Sequence, residues 1–235
     1  MQEPRRNLVL RNLANIVSIL GVLPICILFG EHGYWYLLPL IIYNNFMDDL
    51  DGILATKLNV KSDFGADLDN VCDAIAHAVF VMVVGMHFAQ EAGHPYLGGF
   101  CLATCLLATI AMIIRVVDRI NSSSAPGTGS PTNELIRHLF FVLLVSQIFG
   151  FHPMPYLIAT CLLHAVSMLV PFKMPYLIRS LTKSAFAIGM VNIALLLAWL
   201  WPPAAPVVAT LFGVSYLASF ALGGFRWLRN TDKSK

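Results

Sequence analysis

Eight apolar stretches follow one another along the chain, and each is about as long as a helix that crosses a membrane. A transmembrane helix needs roughly 20 mainly apolar residues. The stretches lack the strict alternation of apolar and polar residues that marks a strand, so we predict an α-helix for each of them. They cover approximately residues 13–30, 34–55, 65–88, 96–117, 134–149, 155–170, 184–201 and 206–224.

The connections between these stretches are mostly short and contain residues that favour turns. The short ones include residues 31–33, 91–94, 150–153 and 202–203. The longest connection, residues 121–131, is small and polar. Within it or just after it, Asn121, Ser130 and Asn133 are candidate substrate contacts, although small polar residues in a loop more often serve the turn. No connection is long enough to form a separate soluble domain.

The composition agrees with a membrane location and supports the prediction of apolar helices. Apolar residues make up 57% of the chain and charged residues only 12%, about half of the roughly 25% that soluble domains carry. We therefore predict one all-α, polytopic membrane domain over residues 1–235. Within it, residues 1–12 form a cytoplasmic or interfacial segment and residues 226–235 form a cytoplasmic tail. The net charge of +2 is too small to indicate binding of nucleic acid.

The positions of the basic residues predict the orientation. All 15 Lys and Arg residues fall at the two ends of the chain or in and beside the connections between the second and third, fourth and fifth, and sixth and seventh stretches. The other connections carry none. Because Lys and Arg accumulate on the cytoplasmic side of membrane proteins, both termini and these connections are predicted to be cytoplasmic. A bacterial or archaeal inner membrane is the favoured location.

The acidic residues are crowded into one part of the chain. Seven of the 13 lie between residues 48 and 73. Asp48 and Asp51 share one face near the end of the second predicted helix, and Asp69 and Asp73 share one face near the start of the third. A short turn brings the two pairs together. Carboxylates that face one another repel and are costly to bury, so we expect divalent cations between them, and oxygen ligands suit Mg²⁺ or Mn²⁺.

Other residues of this segment are expected to support the four aspartates. Gly52, Ala55 and Gly65 lack bulky side chains, so the helices and a substrate phosphate can approach closely. Asp67 lies about 200° around its helix from Asp69 and does not share the metal face. Asp49 and Asp63 are expected to be supporting or solvated as well. The alternative for the whole cluster is a set of solvated acids that only stabilise helix N-termini.

The spacing of these residues resembles that of a known family. The pattern Asp-x2-Asp-Gly-x2-Ala-Arg-x8-Gly-x3-Asp-x3-Asp marks the CDP-alcohol phosphotransferases, and the chain keeps seven of its eight fixed positions. The departure is Thr56, which stands where the family has an arginine that is associated with holding the CDP-linked substrate. The matching positions are Asp48, Asp51, Gly52, Ala55, Gly65, Asp69 and Asp73.

Four shorter matches point to one branch of that family, the integral-membrane phosphatidylserine synthases. Residues 64–69 resemble their Phe-Gly-Ala-Glu-Leu-Asp, and the tripeptide that starts at Arg119 is similar to their Arg-Phe-Asn. Residues 127–131 resemble their Gly-Leu-Pro-Ser-Pro, and the tripeptide that starts at Lys173 is similar to their Arg-Tyr-Pro. The four matches occur in the same order along the chain. Eight membrane passes also suit this branch better than the six that are common elsewhere in the family.

The resemblance implies transfer of a phosphatidyl group from CDP-diacylglycerol to an alcohol, with release of CMP. It implies two Mg²⁺ or Mn²⁺ ions, with Asp73 as the general base on the attacking hydroxyl, and a homodimer. The implied metal ligands are Asp48, Asp51, Asp69 and Asp73. The positions that it assigns to the CDP-linked donor are Asp48, Gly52, Ala55, Thr56, Gly65 and Asp69. His77, one turn beyond Asp73, either lines the pocket or is a structural histidine.

L-serine is the favoured acceptor, and its carboxylate requires a cation on the cytoplasmic side. The candidates, in order of preference, are Arg119, Lys173, Arg115 and Arg179. These residues could equally serve only to set the topology or to contact anionic lipid. Two other functions remain open. One is a related transferase that uses glycerol phosphate, inositol phosphate or choline, and the other is a cation or proton transporter with intramembrane carboxylates. A transporter predicts acids spread over several helices and depths, whereas these acids cluster at one end of two helices.

Overall fold

A computed structural model describes residues 8–121, 131–172, 174–175 and 185–232. This part of the chain contains helices and no strand, which confirms the prediction of an all-α fold. The α-helices are α1 (Leu8–Arg11), α2 (Leu13–Val22), α3 (Leu37–Lys57), α4 (Asp63–Glu91), α5 (Pro95–Asn121), α6 (Pro131–Phe149), α7 (Met154–Leu169), α8 (Ala185–Leu200) and α9 (Ala205–Asp232). Short 3-10 helices cover Leu23–Phe29, Gly33–Tyr36 and Pro202–Ala204.

The ends of the helices differ most from the apolar stretches at two places. The first stretch is α-helical only to Val22 and continues as a 3-10 helix, because Pro24 has no N–H to donate to the preceding turn. The last helix extends beyond the apolar stretch and ends at Asp232, so most of the segment 226–235 is helical. Hydropathy detects the apolar part of a helix, so it does not predict a helix end that is polar.

Within the described residues, three helical segments are long and apolar enough to cross a membrane, namely Asp63–Glu91, Pro95–Asn121 and Pro202–Asn230. Shorter apolar helices cover Leu13–Phe29, Met154–Leu169 and Ile188–Leu200. These lengths and compositions fit an integral membrane protein. The number of eight crossings and the cytoplasmic location of both termini stay predictions.

Helix α5 is apolar on both its inner and its outer face. Its buried face carries small residues, among them Gly98, Cys101, Cys105, Ala108 and Ala111. Its exposed face carries large ones, among them Leu106, Leu107, Ile110, Ile113 and Ile114. Small residues let neighbouring helices approach closely, and large apolar side chains on the outside fit contact with lipid. The arrangement explains why the chain needs so few charged residues.

Helix α6 lies in the interior of the bundle. It packs against α7 and α9 and also contacts α3 and α4. Leu135, Leu139 and Phe140 are completely buried, and the polar residues of its first turns are buried as well. A helix that is buried nearly all round cannot turn its polar side chains toward water. They must therefore find partners inside the protein.

The turn between α3 and α4 brings the two halves of the aspartate motif together. Asn59, two residues after the end of α3, has the left-handed conformation, at φ 51°. The N–H of Val60 donates to the carbonyl of Ala55 at 3.1 Å, and the N–H of Asn59 donates to that of Thr56 at 3.2 Å. Asparagine tolerates this conformation, which closes a helix end. The Ser62 hydroxyl then accepts the N–H of Gly65 at 3.0 Å and caps α4.

Candidate functional site

Four aspartates from α3 and α4 line one small cavity near the turn. One carboxylate oxygen from each of Asp48, Asp51 and Asp69 lies within 4.8 Å of the others. Asp73 is buried and lines the same cavity, of about 10 Å³, but it is not part of that triplet. The sequence predicted these four residues as one group, and the structure brings them to one cavity.

Side chains from two other helices contact these carboxylates. The Ser18 hydroxyl of α2 donates a hydrogen bond to the Asp51 carboxylate. The Asn133 amide of α6 donates to Asp48 Oδ2 at 2.9 Å. Sequence reasoning missed Ser18 and treated Asn133 as a loop residue, whereas Asn133 is helical and buried. In the sequence, Ser18 and Asn133 are recognisable only as polar residues within or beside an apolar stretch. That position does not identify the aspartate that either of them contacts.

Close approach of α2 and α3 depends on Gly21. A Cβ at that position would lie 2.9 Å from the Cβ of Met47, which is too close for carbon atoms. The Asn44 amide reaches the Gly21 carbonyl at 3.4 Å. Both contacts hold Ser18 beside Asp51, because Ser18 lies one turn before Gly21 on α2.

The small residues of the motif divide into two kinds. A Cβ at Gly65 would lie 3.1 Å from Asn15 Oδ1, so this glycine does permit close packing. A Cβ at Gly52 would meet no atom of the described residues within 4 Å, so no described helix packs against this glycine. Open space remains above it. Thr56 is exposed, and its hydroxyl donates to the Gly52 carbonyl at 2.8 Å. Ala55 is half-buried on the same helix.

The other acids of the segment lie away from the cavity. Asp63 and Asp67 are exposed. Asp49 accepts a hydrogen bond from the Asn192 amide of α8 at 2.6 Å and lies 3.4 Å from the Asn45 amide. Its side chain thus takes part in a polar network on another face of α3.

A buried ion pair on α6 belongs to the same network. Arg137 Nη1 donates to Glu134 Oε1 at 3.0 Å, and both side chains are less than a tenth exposed. Arg137 Nε and Nη2 both donate to Asn45 Oδ1, at 3.0 and 2.8 Å. In the sequence, Arg137 is one of the basic residues that predict the orientation. Its spacing from Glu134 was visible in the sequence, but Asn45 lies 92 positions away.

The acceptor candidates differ in their surroundings. Arg119 is half-buried near the end of α5, and its positive charge acts on Asp69 and Asp73. Arg115, one turn earlier, is exposed and pairs with Asp118 at 3.1 Å. The other two candidates, Lys173 and Arg179, lie outside the described residues.

His77 is buried but does not line the aspartate cavity. Its Nδ1 has no hydrogen-bond partner among the described residues.

A larger cavity of about 520 Å³ lies at the other end of the bundle. Tyr34, Trp35 and Trp199 line it, together with His87 and Phe88 near the end of α4. Leu37, also at this cavity, lies about 16 Å from Asp48 along α3 at 1.5 Å per residue. None of the described residues that line it is a carboxylate, the ligand that hard divalent cations prefer.

Comparison with known proteins identifies the family. The model of the CDP-alcohol phosphatidyltransferase family matches residues 9–218, a range that includes all four aspartates of the cavity. An uncharacterized protein of Aquifex aeolicus (strain VF5) is 38% identical over 51 residues. That match covers 22% of this chain and 26% of the relative, so the chain matches about a quarter of that protein's length. Because the family model covers most of the sequence and both halves of the motif meet in one cavity, this chain belongs to the CDP-alcohol phosphatidyltransferase family.

Proposed function

We propose that this protein transfers the phosphatidyl group of CDP-diacylglycerol to an alcohol, with L-serine as the favoured acceptor, giving phosphatidylserine and CMP. The observation that carries the proposal is the meeting of carboxylates from both halves of the family motif in one small cavity. The two apolar chains of this donor would lie in lipid while its charged nucleotide remains in water. A cluster of carboxylates near one end of two apolar helices suits such a molecule.

The donor set of the cavity fits hard divalent cations. Mg²⁺ binds oxygen ligands at about 2.0–2.1 Å, so two ligands of one ion lie at most about 4.2 Å apart. Oxygens of Asp48, Asp51 and Asp69 lie within 4.8 Å of one another, so a small movement of the side chains would bring them into range. Asp73 would complete the ligand set. When bound there, two Mg²⁺ or Mn²⁺ ions would neutralise the donor diphosphate and stabilise the charge that develops on the transferred phosphoryl group.

The residues of the cavity have separate roles in the transfer. Asp73 lines the cavity and accepts the proton of the acceptor hydroxyl as that oxygen attacks the phosphatidyl phosphorus. The new bond joins the acceptor oxygen to phosphorus, and the bond from phosphorus to the CMP oxygen breaks. The donor phosphates would approach at Gly52, where a Cβ would meet no atom of the described residues within 4 Å.

The positive charge of Arg119 supports serine as the acceptor. Serine carries a carboxylate that requires a cation, and Arg119 acts electrostatically on two of the cavity aspartates. A phosphorylated acceptor would need further cations. Among the candidates that the structure describes, Arg115 is the weaker one because it is exposed and already paired with Asp118.

Release of CMP by the reconstituted protein tests the proposal. Protein in lipid vesicles receives CDP-diacylglycerol, Mn²⁺ or Mg²⁺, and in turn serine, glycerol phosphate, inositol phosphate or choline. We expect CMP release with serine, loss of that release in Asp73→Asn, and little change in Asp67→Asn, because Asp67 is an exposed aspartate of the same helix. Release with another alcohol but not with serine would correct the acceptor. Ion flux without CMP release from any alcohol would instead favour the transporter.

A further inference from the structure

The contact between Asn133 and Asp48 joins two helices that are far apart in sequence. Asn133 is only 5% exposed, and its amide nitrogen donates to Asp48 Oδ2 at 2.9 Å across 85 positions of the chain. The Thr132 hydroxyl donates to the Asn133 amide oxygen at 3.2 Å. The oxygen of the amide therefore faces a donor while its nitrogen faces a carboxylate. This pair of contacts determines which way the amide points.

A second contact, one helical turn away, keeps the two helices in register. Asn133 and Arg137 are four residues apart on α6, and their partners Asp48 and Asn45 are three residues apart on α3. Residues at these spacings lie on one face of a helix. The two contacts thus form a short ladder between α6 and α3. A fortuitous approach of one side chain would not produce this matched spacing.

The contacts of the ladder bring no unbalanced positive charge to Asp48. Arg137 is the only cationic residue of the ladder, and Glu134 on its own helix balances its charge at 3.0 Å. Asp48 instead receives its hydrogen bond from a neutral amide. An amide orients a carboxylate without cancelling its charge, whereas a lysine or arginine in that place would compete with a bound cation.

We propose that Asn133 is a positioning residue that orients the Asp48 carboxylate toward Asp51 and Asp69 for binding of a divalent cation, a role that rests on the proposed function. The amide donates to Oδ2 of Asp48, and a carboxylate oxygen of Asp48 lies within 4.8 Å of those of Asp51 and Asp69. Residues that hydrogen-bond a metal ligand typically change metal affinity by about 10- to 100-fold when they are removed. Asn133 acts through Asp48 and does not touch the substrate in this scheme.

Binding of Mn²⁺ alone, without a lipid substrate, tests the proposal. Purified full-length protein in detergent is titrated with Mn²⁺, and free Mn²⁺ is measured by electron paramagnetic resonance. For Asn133→Ala we expect affinity to fall about 10- to 100-fold. Asn133→Leu, which has nearly the same size and no donor, should show the same loss and covers the case in which the alanine variant does not fold. In CMP release, the Mn²⁺ concentration for half activity should rise while the rate at saturating Mn²⁺ stays within a few fold.

Asn192→Ala is the matched control, because it also removes an amide donor from a carboxylate of α3, that of Asp49 at 2.6 Å. Asp49 does not line the cavity, so removal of the hydrogen bond from Asn192 to Asp49 should leave Mn²⁺ affinity unchanged. Normal affinity in both Asn133 variants would overturn the proposal, and so would an equal loss in Asn192→Ala. A wild-type protein that binds no Mn²⁺ would overturn it as well. Weakened binding in the Asn133 variants together with no CMP release from any alcohol would refute the proposed reaction and leave the positioning role standing.

Discussion

Replacement of Gly52 by alanine tests whether this glycine provides space for the substrate or close packing between helices. Gly52 lies inside α3, and a Cβ there would meet no atom of the described part of the chain within 4 Å. Alanine is a better helix former than glycine, and it restricts the unfolded chain. Such a change stabilises a protein by about 0.4–1 kcal/mol where the native backbone accepts it. For a chain of this size, that amounts to an increase of about 1–4 °C in Tm.

The same methyl group should impair the reaction. If the donor phosphates approach the helix at Gly52, the methyl group forces them away at a cost similar to that of overpacking, about 1–3 kcal/mol. The expected result is a loss of about 5- to 150-fold in kcat/KM for CDP-diacylglycerol. Stability is measured by thermal unfolding in detergent without substrate, and activity by CMP release in vesicles.

Gly213→Ala provides the matched control. Gly213 lies inside α9, and a Cβ there also meets nothing within 4 Å. This variant should gain similar stability and keep full activity. If Gly52→Ala retained the activity of the wild type, the donor would not approach at this position. If it lost stability, the space above Gly52 would not be open in the folded protein, and the reasoning from the structure would fail.

Three further predictions concern charged and polar positions. Arg137→Met leaves Glu134 buried without its partner and should lower the free energy of unfolding by about 3–5 kcal/mol. The double variant, which also carries Glu134→Gln, should recover part of that loss. Equal stability of the single and the double variant would contradict a buried ion pair. Thr56→Arg should preserve or raise CMP release, because the side chain is exposed and bonds only to its own helix; a total loss would indicate a different donor geometry. Arg119→Ala should raise KM for serine about tenfold or more while Arg115→Ala changes it less than about threefold, and similar effects would remove the preference for Arg119.

Much of the site could be predicted from the sequence because its key residues are local. Asp48 and Asp51 are less than one helical turn apart, and the turn to α4 contains only residues 58–62. The geometry of two helices and one tight turn follows from such short spacings. Asp67 and Asp63 could be set aside on the same grounds, and both are exposed.

The sequence predicted two purposes for Gly52, close helix packing and approach of a substrate phosphate, and could not decide between them. It either lets another helix approach or leaves space for a ligand, and the sequence contains no information on which atoms lie above it. The same ambiguity affected Asn133. Its position after a polar connection favoured a turn, although the residue lies within α6 and reaches Asp48.

The hydrophobic pattern by itself determined that the protein is helical and suited to a membrane, since each helix satisfies its own backbone hydrogen bonds. The motif spacing by itself determined which four aspartates belong together. Only the tertiary structure decided what surrounds them, because those contacts join residues that are 33 positions apart for Ser18 and Asp51 and 85 for Asn133 and Asp48. Such contacts depend on the relative rotation of α2, α3 and α6. That rotation results from close packing, as at Gly21, and from buried polar pairs whose partners no local pattern identifies.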